Sequence, residues 1–429
     1  MIFTHIILNM KKYIIDKKED IRNLDVKSRI IEFPETHLIV SIIGPRRAGK
    51  TYSLYDFILN KKKFVDSEFL FINLEDETPQ RKDRDEILNA ISYHEEIYGK
   101  EPKYIFLDEV QAMSEWERYL YTIFEKKRYH IFITGSSSKL LSKEIATQLR
   151  GRSLSITVMP LSFKEFLLIK KFNLKEFYST SEENKIKNLL RKYLENGGFP
   201  DVVIENIDSK KFFKDYIDLV IFKDLMERFD IRNKFLIRFL INSVISSFGK
   251  EFSINKLYSI LRGDNIKVSK KTIYSYSLLL EDVMFSFLLH KFSFSMRKTL
   301  LSIPKVYIND PGLINNTSLN FRDNIGRLME NVVFLELKRR EKEIFYYKSL
   351  DQKEVDFVVK ENIKIKELIQ VCYDIEDFTT KERELKSLVK ASKELKCNNL
   401  KVITWDYESK DKFKGKSIKF IPLWKWLLG

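Results

Sequence analysis

The sequence predicts an α/β fold: a parallel sheet around a glycine-bounded loop near residue 44, a largely helical middle, and a second α/β domain toward the C-terminal end. Three observations predict it. The segment LIVSIIGPRRAGKTYSLYDFIL runs from an apolar strand through a glycine-bounded turn into an amphipathic helix that opens near Lys50. KYIFLDEVQ is a second apolar strand, and it ends in two adjacent carboxylates, Asp108 and Glu109. Farther on, EIFYYKS and EVDFVVKENIKIKELIQVCYD read as three short β-strands preceded by the helix NIGRLMENVVFLELKRR. At 429 residues the chain exceeds one hydrophobic core of ordinary size, so two to four domains are expected.

Within the first segment, GPRRAGKT matches G-x-x-x-x-G-K-[ST] at Gly44, Gly49, Lys50 and Thr51. A strand before it and a helix after it are the setting in which such a loop turns backbone N–H groups and a helix N-terminus onto phosphate. The expected ligand is ATP, cradled by Gly44, Pro45, Arg46, Arg47, Ala48 and Gly49, with Lys50 on the terminal phosphates and Tyr52 just beyond. The Thr51 hydroxyl is the expected ligand of Mg2+, a hard ion that prefers oxygen.

Asp108 is the natural partner of that ion, and Glu109 directly after it is placed to orient and deprotonate an attacking water. Taken alone, KYIFLDEVQ fits equally well an ordinary strand with a solvated acidic turn. The loop upstream favours the catalytic pairing. A third strand, YHIFITGSSSKLL, ends in Thr134, Gly135 and three serines, so the hydroxyls of Thr134 and Ser136 are candidate sensors of a γ-phosphate. Arg150 and Arg152 in QLRGRS stand where an arginine can reach a neighbouring subunit's nucleotide. A cationic helix C-terminus favoured by the helix dipole explains them equally well.

Composition sets outer bounds. Lys and Arg number 76 against 61 Asp and Glu, and the net charge of +15 attracts phosphate backbones, which makes nucleic acid, DNA above all, the expected partner; a lysine-rich solvated surface would carry the same charge. Only Cys372 and Cys397 are present, too few for a disulfide framework and without zinc-ligand spacing, which fits a reducing cytoplasm. The apolar start breaks at Asn9 and Lys11 and has no small-residue cleavage site, so no signal peptide is expected. The stretch from Phe235 to Phe248 is interrupted by Arg238 and Asn242, so no membrane insertion is expected either.

The order of motifs resembles a prokaryotic, archaeal-type family of AAA+ P-loop ATPases with a C-terminal DUF4143 domain. The resemblance covers nearly the whole chain and is carried by GPRRAGKT, FINLEDE from Phe71, FLDEVQ, ITGSSS, LRGRS, PLSFKEF, GGFPDVV from Gly197, DLMERFDI, VYINDPGL, ENVVFLEL and EVDFVV. It implies an AAA+ nucleotide domain over residues 1–158, a helical lid over 159–234, a winged-helix segment over 235–300 and a degenerate restriction-endonuclease-like PD-(D/E)xK domain over 301–429. It also implies that Gly198 and Pro200 of GGFP contact adenine from the lid. A glycine helix terminator followed by a proline is the plain alternative.

The residues bear on each domain. SINKLYSILRG stops at a glycine, and KVSKKTIYSYSLLLEDV opens with a serine cap, a helix-turn-helix pattern with Ile273, Leu278, Leu279 and Val283 expected inward. Lys270, Lys271, Thr272 and Tyr274 would then face outward, as on a helix that enters a major groove; packing or subunit contact is the other use of such a segment. FSFLLHKFSFSMRK is the expected wing ribbon, offering Lys291, Arg297 and Lys298 to phosphates. In the C-terminal domain Asp356 fits the first acid of a magnesium nuclease and Glu330 a helix carboxylate, but Gln370 and Cys372 stand where a second acid and a lysine belong. A thiol with a pKa of about 8.5 is neutral at physiological pH and cannot replace an ammonium, so no DNA cleavage is expected unless Lys348 or Lys366 has moved into the role. A helix follows, with Thr379 and Glu382 at capping-box spacing. The whole predicts magnesium-dependent ATP hydrolysis by a homo-oligomer or with a protein partner, coupled to DNA; ATP held without turnover by a scaffold is the alternative.

Overall fold

The computed structural model describes residues 2–78, 84–135, 151–317, 325–373, 375 and 377–429. Two units divide the chain, Met1–Met159 and Pro160–Gly429.

The first unit contains α1 (Ile2–Asn23), β1 (Ile39–Ile43), α2 (Lys50–Asp56), β2 (Phe69–Asn73), α3 (Arg84–Tyr98), β3 (Tyr104–Asp108), α4 (Trp116–Glu125), β4 (His130–Thr134) and β5 (Ser153–Thr157). All strand pairs are parallel, in the order β2-β3-β4-β1-β5. The inner strands are continuous apolar runs because a parallel sheet between helix layers buries both faces; SLSIT, at the edge, is partly exposed. Phe57, Phe64, Phe106 and Phe132 fill one side, with Phe106 stacked on Phe132 at 5.1 Å. Each such ring removed from water contributes about 2 kcal/mol. The register pairs Asn73 with Asp108 and Ile42 with Thr134, so the C-terminal ends of β1, β3 and β4 finish at one edge of the sheet. Ligands in open α/β sheets bind outside that edge.

The second unit begins with helices: α5 (Phe163–Ile169), α6 (Thr180–Asn196), α7 (Pro200–Val203), α8 (Ser209–Leu219), α9 (Lys234–Ser246), α10 (Ile254–Gly263) and α11 (Lys270–Asp282). Side-chain caps set their starts: Ser162 with Glu165 and Ser179 with Glu182 form capping boxes, and Asp208, Asn233, Ser253 and Ser269 cap the next ones. Then follow β6 (Ser286–Leu289), α12 (Met296–Leu300), β7 (Lys305–Ile308), α13 (Pro311–Thr317), α14 (Ile325–Arg339), β8 (Glu343–Lys348), β9 (Glu354–Glu361), β10 (Lys364–Cys372), α15 (Phe378–Leu395), β11 (Leu400–Thr404), β12 (Ser409–Phe413), β13 (Lys416–Pro422) and α16 (Leu423–Leu428). The mixed sheet runs β12-β13-β11-β10-β9-β8, and α15 packs on β9 and β10. No helix among the described residues is long and apolar enough to cross a membrane.

Three local expectations change. The Ser269 cap is present, accepting the Thr272 N–H at 3.0 Å, but α11 buries Ile273, Ser277 and Leu280 while Leu278 and Leu279 are only half-buried. Positions four and seven residues beyond Ile273 share its helix face, and the small Ser277 fits there by donating to the Ile273 carbonyl at 2.8 Å. The ribbon does not close within FSFLLHKFSFSMRK; β6 pairs antiparallel with β7, which lies beyond the expected boundary at 300. The free edge of β7 takes the segment after α9, through Gly249 N to Val306 O at 2.8 Å and Phe252 N to Pro304 O at 2.8 Å. Finally, Asp377 rather than Thr379 caps α15, accepting the Thr380 N–H at 2.8 Å.

The GGFP turn has its own chemistry. Gly197 ends α6 at φ +81°, a conformation that suits glycine. A methyl group on Gly198 would sit 2.3 Å from the Leu161 carbonyl oxygen, and the Gly198 N–H donates to Asp310 Oδ2 at 2.7 Å. Pro200 opens α7. Burial pushes the Asp310 carboxyl up from 3.8 to about 7 against the backbone N–H groups of Gly198 and Gly312. The native state therefore keeps a proton that the unfolded chain loses above its ordinary value. This contribution to stability is full below about pH 4 and is lost as pH rises through about 7, at most about 4 kcal/mol. We expect urea midpoints of wild type to fall relative to Asp310→Asn between pH 4.5 and 7.5; parallel curves for the two would refute the linkage.

Candidate functional site

The loop after β1 is held open by close packing. A Cβ on Gly44 would lie 2.0 Å from the Val158 carbonyl oxygen, so only glycine lets the chain pass the segment after β5, where Val158 N donates to Ile43 O at 2.7 Å. Gly49, at φ +90°, turns the loop into α2. Lys50 is buried, and its Nζ donates to the Gly44 and Pro45 carbonyls at 3.2 Å each. Arg29, which the sequence reading did not single out, braces the loop from outside, donating to Ala48 O at 3.0 Å and Met159 O at 2.9 Å. Tyr52 is exposed, its ring against Tyr55 at 5.6 Å.

The sequence-predicted acids meet the loop. Thr51 Oγ1 donates to the Asp108 carboxylate, 2.9 Å from Oδ2 and 3.1 Å from Oδ1. Thr134 Oγ1 also donates to Asp108 and accepts the Glu109 N–H at 3.0 Å. The ends of β3 and β4 and the start of α2 are thus tied through one buried carboxylate. Burial, then the neighbouring Glu109 charge, raise the Asp108 carboxyl to about 6, while the two threonine hydroxyls and Lys50 pull it down. Glu109 leaves β3 in a left-handed conformation, φ +55°, and its Oε2 accepts from Gln111 Nε2 at 2.5 Å. The Gln111 Oε1 atom is buried and has no hydrogen-bond partner among the described residues.

These residues fit a magnesium nucleotide. The loop bounded by Gly44 and Gly49 leads into the N-terminus of α2, and a hydroxyl and a carboxylate already in contact supply hard oxygen ligands of the kind magnesium takes alongside phosphates. Of the other expected site residues, Ser136 and Arg150 lie outside the described residues. Arg152 is engaged within its own unit, paired with Glu125 and lying over the Tyr121 ring at 5.0 Å.

A second constellation lies in the Pro160–Gly429 unit. Asp356 on β9 and Glu330 on α14 do come together, but around a lysine: Lys305 Nζ from β7 is 3.0 Å from Glu330, 2.6 Å from Glu354 and 3.4 Å from Asp356. Tyr307 donates to Glu330 at 2.6 Å, and the Val371 N–H donates to Asp356 at 2.8 Å. Burial opposes the charge on Lys305, but Glu330, Tyr307 and Asp356 outweigh it and hold its ammonium well above the ordinary value. Gln370 turns away to Glu384, donating at 2.7 Å, and Cys372 is buried. Lys348 pairs with Glu251 and Lys366 with Glu361, so neither has moved to Asp356. The donor set does not fit a metal, since the point on which its carboxylates converge is taken by the chain's own cation; among the described residues no group of three or more His, Cys, Asp or Glu could hold one.

Comparison with known proteins bears on both ends of the chain. The family model described as AAA domain matches residues 36–167, and two described as domains of unknown function, DUF8612 and DUF4143, match 187–324 and 325–426. An uncharacterized protein of Methanocaldococcus jannaschii is 40% identical over 441 residues, covering 100% of this chain and 95% of that protein. An uncharacterized protein of Haemophilus influenzae is 28% identical over 402 residues, covering 92% and 96%. Among solved structures, the Aeropyrum pernix ORC1 protein in complex with DNA overlays with a TM-score of 0.31 at 10% identity, covering 67% of this chain and 86% of that one. The S. cerevisiae Hsp104-ADP complex gives 0.28 at 14%, covering 62% and 39%. Both overlays are too distant to bear on activity. An AAA domain on the phosphate-loop unit, DUF4143 on the C-terminal sheet and a relative matched from end to end leave one conclusion: the chain belongs to the archaeal-type AAA+ P-loop family that ends in a DUF4143 domain.

Proposed function

We propose that this protein hydrolyses ATP and uses the nucleotide state to control how its second unit engages DNA or a DNA-bound partner. The observation that carries the enzymatic half is the hydrogen-bonded run Thr51–Asp108–Thr134–Glu109–Gln111, which joins the phosphate loop to a carboxylate free of the ion-binding role. Bound magnesium would neutralise charge on the terminal phosphates. The chain's own part is to hold that ion's oxygens at Thr51 and Asp108, to place the Lys50 ammonium by the phosphates and to orient water at the Glu109 carboxylate. An arginine from a second copy, at position 150 or 152, would complete the charge neutralisation; Arg152 would exchange its pair with Glu125 for it.

The DNA half is supported by the order α9-α10-α11 followed by the β6–β7 ribbon, a winged-helix arrangement, with Lys270, Lys271 and Tyr274 exposed at the start of α11. The C-terminal sheet is then a nuclease-like scaffold without nuclease chemistry, because Lys305 fills the place of the ion. Phosphate release from magnesium-ATP by the full chain, with and without duplex DNA, tests the proposal. Turnover that rises with DNA supports both halves; ATP binding with no release under either condition overturns the enzymatic half. Gln111→Leu is expected to lower kcat about tenfold with KM unchanged, since a hydrogen bond to the reacting carboxylate is worth about 1.5–3 kcal/mol. An unchanged kcat would remove Gln111 from the mechanism.

A further inference from the structure

A groove with a cavity volume of about 520 Å³ lies in the Pro160–Gly429 unit, between the loop that follows β6 and strand β8. Its floor is rigid. Phe292 N donates to Tyr346 O at 2.7 Å, Tyr346 N to His290 O at 3.1 Å, and the Tyr346 hydroxyl to Ile303 O at 2.7 Å, so the loop is laced to the strand as an added edge. Lys291, Lys298 and Lys348 line the groove with one carboxylate, Glu251, which Lys348 already pairs at 2.8 Å. Among the described residues, Lys291 and Lys298 have no carboxylate of their own. Phe294, 82% exposed, leans edge-on against Phe292 of the lining at 5.2 Å, and Met296 (71%), Leu300 (63%) and Leu301 (74%) are exposed along and just after α12. So many large apolar side chains outside within eight residues mark a docking surface rather than scattered exposure.

Surplus cations in a concavity, under an exposed aromatic ring, select the partner. A bilayer offers headgroup phosphates but no planar ring to set against Phe294. A DNA duplex keeps its bases stacked, so it offers phosphates to the lysines but no π-face to Phe294. An unpaired strand offers both, a flexible line of phosphates and bases free to stack. We propose that this groove binds single-stranded nucleic acid, with Lys291 and Lys298 on its phosphates and the Phe294 ring against an unpaired base. The inference rests on the reading that the second unit engages nucleic acid, and it does not depend on hydrolysis.

The test is fluorescence anisotropy on the full-length protein with labelled 20-nucleotide deoxythymidine and uridine homopolymers, a 20-base-pair duplex and anionic phospholipid vesicles. We expect both single strands to bind, and their binding, unlike that of the duplex, to depend on Phe294 and the two lysines. Phe294→Ala, on a side chain too exposed to support the fold, should weaken strand binding about tenfold. Lys291→Ala/Lys298→Ala should lower the slope of log affinity against log salt by about 1.4. Variants that weaken duplex binding as much as strand binding, or a preference for vesicles, overturn the proposal. Strand binding that neither variant changes overturns this groove while leaving a nucleic-acid partner standing; no binding to any nucleic acid removes the partner as well.

Discussion

Replacing Glu109 with glutamine is expected to lower phosphate release from magnesium-ATP by about 10²- to 10⁴-fold, the usual worth of a general base, while ATP still binds. The substitution keeps the size of the side chain and its oxygen acceptor, so the contact from Gln111 Nε2 can persist and the turn after β3 need not move. What it removes is the negative charge and the proton acceptor. Its effect on binding has a definite sign. The Glu109 charge is one of the causes that raise the Asp108 carboxyl to about 6, so neutralising it lowers that pKa and leaves Asp108 more fully ionised. Magnesium-ATP should therefore bind the variant as tightly as wild type or more tightly, and the gap should widen toward pH 6. Phosphate release and titration with a fluorescent ATP analogue, both at pH 6 and 7.5, measure the two quantities. Turnover preserved in the variant would assign the water to another group, and lost binding would make Glu109 a ligand rather than a base. Lys50→Ala supplies the contrast, since it should lose affinity first.

How much of this was legible in the sequence depends on the distance over which each feature is set. The phosphate loop is local: a strand, two glycines and a helix start, all within a few residues; the separate duties of the glycines, Gly44 passing Val158 and Gly49 turning into α2, are set by packing and were not in the letters. Asp108 and Glu109 could be placed because an apolar strand ends on them and parallel strands end together. Arg29 was not legible, because nothing near it in sequence says that its guanidinium folds back onto Ala48 O. The ribbon was misjudged for a similar reason. β7 follows β6 only after α12, and the residues between them carry the same apolar and basic mixture as a strand. In α11 the error was one of face: three consecutive leucines, Leu278, Leu279 and Leu280, leave the register open, and packing chose Leu280. The C-terminal constellation was half-read. The missing acid and the missing lysine show in the letters at Gln370 and Cys372, but the replacement cation comes from Lys305, outside the strands on which the pattern is written.

Lys305→Met is expected to destabilise the Pro160–Gly429 unit by about 3–5 kcal/mol, the typical cost of removing one partner from a buried ion pair. Glu330 is 7% exposed and Asp356 6%, so neither of these acids can turn to water when the ammonium is gone. Burial first, and then Glu330, already hold the Asp356 carboxyl well above its ordinary value, with Lys305 the chief opposing charge. Without it that pKa rises further, so the folded variant binds a proton that the unfolded chain releases. The sign follows. Stability of the variant is greatest below the ordinary carboxylate range and falls as pH rises, so its deficit against wild type should be larger at pH 8 than at pH 5. Adding Glu330→Gln and Asp356→Asn to Lys305→Met removes the stranded charges and should restore more than half of the loss, because a neutral network of similar volume no longer needs a cation. Urea unfolding of the full chain, followed by tryptophan fluorescence, reports mainly on this unit, which holds Trp405, Trp424 and Trp426 while Trp116 lies in the other. A midpoint for Lys305→Met equal to that of wild type at both pH values would mean that the lysine is not the counter-ion of this cluster, and the place it fills would be open to a metal after all.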